Sequence, residues 1–169
     1  MSKDFKNQEV LAEMTEELIH VNRIVKVTKG GRKFRFAAML VVGDENGKVG
    51  LGYGKAKEVP DAIKKATNSA NKKSVSIFLK NKTIPHEVVG EYGGSKVILK
   101  PARPGTGIIA GGVVRSVVSK AGITDLLSKV YGSKNSLNVS KATLKALVSL
   151  NNPVDIAKKR GKKLSEIFQ

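Results

Sequence analysis

Gly105, Gly107 and Ala110 stand at the spacing G-x-G-x-x-A within GTGIIAGGVVRSVVSKAG, residues 105–122, and Asp125 follows twenty positions after the first glycine. In a dinucleotide-binding turn, such glycines bring backbone amides against a pyrophosphate while the later carboxylate holds a ribose. The surrounding residues oppose that chemistry. The turn needs a strand running straight into its first glycine, and here Pro101, Ala102, Arg103 and Pro104 intervene. Asp125 begins the element after Gly122 instead of closing a second strand, and too little chain remains for further βαβ units.

Other catalytic patterns fare no better. Gly54-Lys55 suggests a phosphate-binding P-loop, but that loop needs glycine at position 49 and Ser or Thr at 56, where this chain has Val49 and Ala56. Pro101, Gly105, Gly107 and Ala110 resemble the P-x-x-x-G-x-G-x-x-A loop of the galactokinase and homoserine kinase class. Those kinases place serines where Ile108 and Ile109 stand, and isoleucine neither coordinates magnesium nor donates to phosphate. That resemblance implies kinship of fold without kinase chemistry. His20 and His86 lie far apart in sequence, and the chain has no cysteine. No metal set, nucleophile–base pair or cofactor site is expected, and no enzymatic activity.

Charge supplies the positive signal. Lys and Arg number 31 against 14 Asp and Glu, a net charge of +17. Such an excess calls for a polyanion, and nucleic acid is the leading candidate. The charge is uneven: residues 21–82 hold 15 basic and 4 acidic side chains, whereas residues 1–20 are net acidic. Aromatic residues make up 5% of the chain, which disfavours a single-strand stacking platform. With 40% hydrophobic residues the 169-residue chain can form a core, as one ordinary domain or two small ones. It carries no apolar run long enough to span a membrane and no secretory leader, so a soluble cytoplasmic protein is expected.

The elements that position these cations read as follows. Residues 8–19 place Val10, Leu11, Met14, Leu18 and Ile19 on one stripe and predict an acidic leading helix. Residues 22–27 and 34–43 read as strands around TKGGRK (28–33), where Gly30 and Gly31 relax the tip. Lys29, Arg32, Lys33 and Arg35 crowd that tip, a concentration that suits a phosphate-contacting finger. Asn46-Gly47 marks a second hairpin. In the strand after it, Val49, Leu51 and Tyr53 alternate with Gly50, Gly52 and Gly54, so that one face can approach another backbone or RNA closely. A helix then opens with Pro60 in its first turn and Ala62, Ile63, Ala66 and Ala70 on one face. Lys64 and Lys65 lie elsewhere, and Lys55 and Lys57 stand at its entry, where exposed amides favour anions. The order helix–strand–strand–strand–helix resembles a double-stranded-RNA-binding module, which reads A-form shape through phosphates and 2′-hydroxyls.

Composition breaks near 80–84. Beyond it, strands are expected at 86–92 and 95–102 and a helix after the glycine loop, with Val113, Val114, Val117 and Val118 on one face. A strand at 123–132 follows, then a helix at 138–150 capped by Asn138, and a short helix from Pro153 to Gly161 capped by Asn152. Arg103 and Arg115 flank the glycine loop as further phosphate contacts. The expected class is α+β: an acidic extension (1–13), a double-stranded-RNA-binding-like α-β-β-β-α domain (14–80), and a two-layer α/β domain with a basic tail (83–169).

The run VNRIVKVTKGGRKFRFAAMLVVGDENGKVGLGYGKAKEVPDAIKKA resembles the signature of the bacterial small-subunit ribosomal protein five family. PARPGTGIIAGGVVRSVVSKAGI, KVYGSKN, NVSKATLKAL and AKKRGKKLSEI continue the resemblance in order, over about residues 15 to 169. It implies a ribosome-bound structural protein that touches small-subunit rRNA and ribosomal proteins four and eight and supports decoding accuracy through protein four. It also implies a place near the mRNA entry channel, where proteins three, four and five are linked to unwinding the message. The finger matches the family loop that reaches the head–body junction and is linked to spectinomycin sensitivity. Carried over there are Arg23, Lys26, Lys29, Gly30, Gly31, Arg32 and Lys33. Homo-oligomers and membrane contact are not expected. The alternative is a free-standing double-stranded-RNA-binding regulator.

Overall fold

A computed structural model describes residues 14–161. The chain forms two four-stranded sheets with helices packed against them. The first sheet contains β1 (Thr15–Thr28), β2 (Gly31–Gly43), β3 (Lys48–Ala56) and the two-residue β4 (Val75–Ser76), antiparallel in that order. Helix α1 (Val59–Lys72) crosses one face, with Pro60 in its first turn and Ala62, Ala66 and Ala70 buried. The second sheet has the order β5 (Val88–Tyr92), β6 (Ser95–Pro101), β8 (Leu126–Gly132), β7 (Ile108–Ile109), with only β7 and β8 parallel. Helices α2 (Gly112–Lys120) and α3 (Ser136–Val148) bury Val114, Val117, Val118, Val139, Ala142, Ala146 and Leu147, and α4 (Pro153–Arg160) ends the described chain.

The α+β class and its two sheets agree with the sequence reading, but two local expectations fail. Thr15–Ile19, assigned to a leading helix, are strand: they extend β1 along β2, from Thr15 opposite Gly43 to Leu18 opposite Leu40. Cross-strand pairing there overrides the helical spacing of Met14, Leu18 and Ile19. The rest of that expected helix, residues 8–13, lies outside the described residues, as does the tail beyond 161. Helix α3 begins two residues before Asn138, and its cap is Asn135, whose side chain accepts from the amides of Leu137 and Asn138. Asn152 caps α4 and Gly161 closes it with φ +61°, as its position suggested.

The alternating glycines of β3 serve the protein's own backbone. A Cβ at Gly50, Gly52 or Gly54 would collide with the carbonyl of Ala70, Ala66 or Ala62 in turn. Three glycines and three alanines thus let α1 lie directly on the sheet.

The two sheets share one core. Val41 and Val49 from the first pack in the same cluster as Val97, Leu99, Val114, Val117 and Leu126 from the second half. Glu17 accepts a hydrogen bond from Ser116, and Lys120 reaches both Thr15 and Glu45. The break at 80–84 is a tight turn: Lys80 and Thr83 pair, and the Lys82 carbonyl accepts from the amides of Thr124 and Asp125.

Candidate nucleic-acid interface

β1 and β2 outrun the rest of their sheet. β3 pairs with β2 only from Phe36 to Gly43, so the portion from Arg23 to Arg35 projects as a two-stranded ribbon closed by Lys29 and Gly30. Within it only Ile24 and Thr28 are partly covered, whereas Ala37 to Gly43 are buried.

Register assigns each ribbon side chain to a face. Lys26 pairs with Lys33, and Ile24 with Arg35, on the face away from α1. Val25 pairs with Phe34, Val27 with Arg32 and Arg23 with Phe36, on the face that carries α1 further along. The ribbon is therefore two-sided: Lys26, Lys33 and Arg35 form a cationic surface, and Val25, Val27 and Phe34 form an exposed apolar one that also carries the exposed Arg23 and Arg32. The guanidinium of Arg23 lies 4.0 Å from the centre of the Phe34 ring, which holds that cation flat against the ribbon.

Like charges directly opposite one another destabilise a strand pair. The cost falls away when an anion lies across both, and a phosphate backbone supplies a row of them.

The remaining expected cations are all exposed but fall into separate groups. Lys55 pairs in register with Ala37, two residues from Arg35, and so extends the cationic face of the ribbon; its ammonium sits 5.3 Å from the Tyr53 ring. Lys57, Lys64 and Lys65 belong to the entry and outer surface of α1. Glu58 stands at the cap of that helix without a side-chain bond and Asp61 in its first turn, so this helix end carries its own negative charge. Arg103 and Arg115 lie in the other half of the molecule, and Arg115 donates to the Ile108 carbonyl at 3.0 Å. Gly30 has nothing within 4 Å of where a Cβ would stand, and Gly31 adopts φ +117°.

The glycine loop is closed by its own carboxylate. Gly105 and Gly107 take φ +88° and +75°, and the Gly107 amide donates to Asp125 Oδ1 at 2.9 Å. That amide, then the Thr124 hydroxyl, hold the Asp125 carboxyl below the usual carboxylate range, with smaller help from the amides of Gly105 and Thr106. Amides that a nucleotide phosphate would use are turned onto an internal anion. Ile108 is half-buried in the loop's packing, but Ile109 is exposed. His86 lies between the Glu87 carbonyl, 2.9 Å from Nδ1, and the Asn151 amide, 3.3 Å from Nε2, which is a packing role. Among the described residues no cluster of His, Asp or Glu suits a metal, and no helix is long and apolar enough to cross a membrane.

Sequence reasoning missed the lysines that α3 and its approach bring near the first sheet. Lys134 and Lys141 line hollows beside Tyr53. Their positions depend on how the two halves pack, and no local pattern announces it.

Comparison with known proteins decides the family. The model for "Ribosomal protein S5, N-terminal domain" matches residues 14–77, and that for "Ribosomal protein S5, C-terminal domain" matches residues 90–160. The chain belongs to the ribosomal protein S5 family. It is similar to small ribosomal subunit protein uS5 of Alteromonas mediterranea, 51% identical over 98% of both chains. To uS5 of Shewanella loihica it is 53% identical over 92% of this chain and 93% of that one. As an S5 protein it is a structural, non-enzymatic constituent of the ribosome, and its surroundings are rRNA and other ribosomal proteins. In S5 terms, the projecting ribbon belongs to the N-terminal domain and the self-closed glycine loop to the C-terminal one.

Proposed function

We propose that this chain is built into the small ribosomal subunit by neutralising rRNA phosphates along its hairpin ribbon. The observation that carries this is the Lys26–Lys33 pair, extended by Arg35 and Lys55 on the same face of an exposed ribbon. Arg23, Lys29 and Arg32, with the unhindered backbone of Gly30 and Gly31, complete the RNA-contacting tip. Lys57, Lys64 and Lys65 add a second contact along α1, and Arg103 and Arg115 a third beside the glycine loop. The chain divides into an extension (1–13), an RNA-binding domain (14–80) and a C-terminal domain (83–169).

The second half supplies protein-facing surface. On the side of its sheet away from α2 and α3, Val89, Ile109, Leu127 and Tyr131 are exposed among Lys96, Lys100 and Lys129. This surface suits neighbouring ribosomal proteins, of which four and eight are the proposed contacts, with protein three near the mRNA entry region. Through those neighbours the protein supports assembly and decoding accuracy, bound to ribosomes in the cytoplasm.

Sedimentation tests this reading. Tagged full-length protein added to a cell extract is expected to travel with intact small subunits in a sucrose gradient. Recovery only in free RNA complexes would favour a free-standing double-stranded-RNA-binding regulator instead.

A further inference from the structure

The cationic face of the ribbon runs into a cleft between the two halves of the molecule. Two cross-strand rows build its base: His20–Met39–Tyr53 and, one step nearer the ribbon, Asn22–Ala37–Lys55. The start of α3 stands over these rows, so that Lys134, Asn135 and Ser136 face His20, Asn22 and Tyr53 across a hollow of about 340 Å³. That size is in the range of small-ligand sites. Tyr53 separates it from a second hollow of about 310 Å³ that runs along α1 and α3 past Lys73 and Lys141.

Each part of the cleft suits one feature of a nucleotide. Tyr53 is 42% exposed although it sits where the domains meet, so its ring presents an aromatic surface to the cleft. A base stacks on such a ring, and stacking tolerates any base because each has a π-face. His20 and Asn22 carry both donors and acceptors for a base edge. Lys134 lines the hollow, and Lys55, paired in register with Ala37 and with its ammonium 5.3 Å from the Tyr53 ring, stands beside it; both are partners for the flanking phosphates. Ala37 leaves the floor low, and Met39 is unbranched and adaptable. Paired bases in an A-form helix hide their faces, so this arrangement suits a base outside a duplex.

We infer that the interdomain cleft receives a single unpaired RNA nucleotide, its base against Tyr53 and its phosphates between Lys55 and Lys134. The duplex that leads to it lies along Lys26, Lys33 and Arg35. The inference rests on the RNA-binding reading above and adds a base contact to a surface otherwise limited to phosphates.

The chain contains no tryptophan, so the full-length Tyr53→Trp variant has a single reporter in the cleft. Three fluorescently labelled RNA hairpins serve as probes: one fully paired, one with a bulged adenosine, and one with an abasic residue at the bulge. Anisotropy reads binding, and tryptophan emission reads stacking. The adenosine bulge is expected to quench the emission, with the paired and abasic hairpins leaving it unchanged. In a Tyr53→Ala variant, affinity for the adenosine-bulged hairpin is expected to fall by roughly 5- to 150-fold, the loss of one stacked base, with the same dependence on salt. Tyr53→Phe is expected to keep the affinity. Binding of all three hairpins without quenching, or an equal loss for all three in Tyr53→Ala, would overturn the cleft assignment and leave the ribbon reading intact. Failure to bind any hairpin at low salt would overturn the RNA-binding reading itself.

Discussion

Lys26 and Lys33 face one another directly across the exposed hairpin ribbon, two cations where a folded chain on its own would favour opposite charges. Replacing Lys26 by glutamate creates a cross-strand ion pair and is expected to stabilise the free protein by about 0.2–1 kcal/mol. The same change places a carboxylate on the proposed RNA surface and weakens binding. Thermal unfolding and RNA affinity should therefore move in opposite directions. A loss of both would show that the pair serves the fold.

The glycines separate into those the fold needs and those it leaves open. Gly52→Ala drives a Cβ into the Ala66 carbonyl and is expected to cost about 3 kcal/mol, at the upper end of overpacking penalties. Gly30→Ala at the ribbon tip meets nothing within 4 Å and is expected to stay within about 0.5 kcal/mol of the parent. Denaturant midpoints of the two variants check the contrast.

Asp125 gives the glycine loop a pH dependence with a definite sign. Its carboxyl is held below the usual range by the Gly107 amide and then the Thr124 hydroxyl. The stabilisation is fully present above the unfolded-state pKa of about 3.9 and is lost as pH falls through the lower folded-state value. Asp125→Asn lacks this titration, so the stability gap between parent and variant should narrow below about pH 3.9. A gap that stays constant from pH 6 to pH 2.5 would contradict the assigned role.

Val41 and Val49 share a core cluster with Val97, Leu99 and Val117, so the two halves should not melt separately. Calorimetry is expected to give one transition whose calorimetric and van't Hoff enthalpies agree. Two resolved transitions would show that the shared core does not couple the sheets.

The ribbon was readable because its signals are local. Paired glycines, β-branched runs and clustered cations mark a hairpin without reference to the rest of the chain. Thr15–Ile19 fall to the strand because a helical spacing of apolar residues says nothing about a strand edge waiting to pair. Asn138 lost the cap to Asn135 for a similar reason, since two nearby asparagines offer the same chemistry and the path of the chain after β8 chooses between them. The alternating β3 glycines mark a place of close approach, yet only the packed helix identifies the Ala66 backbone as what approaches. The cleft beside Tyr53 was the least legible feature. It is made by residues from β1, β2, β3 and the start of α3, which meet only when the domains pack.

The most direct test of the central claim is the salt dependence of binding to small-subunit rRNA, comparing the parent with a Lys29→Ala, Arg32→Ala, Lys33→Ala triple variant. Each cation on a duplex phosphate contributes roughly 0.9 to the slope of log affinity against log salt. The account predicts that the triple variant lowers the magnitude of that slope by up to about 2.7, three such contacts. A variant that binds with the parent's slope would contradict it.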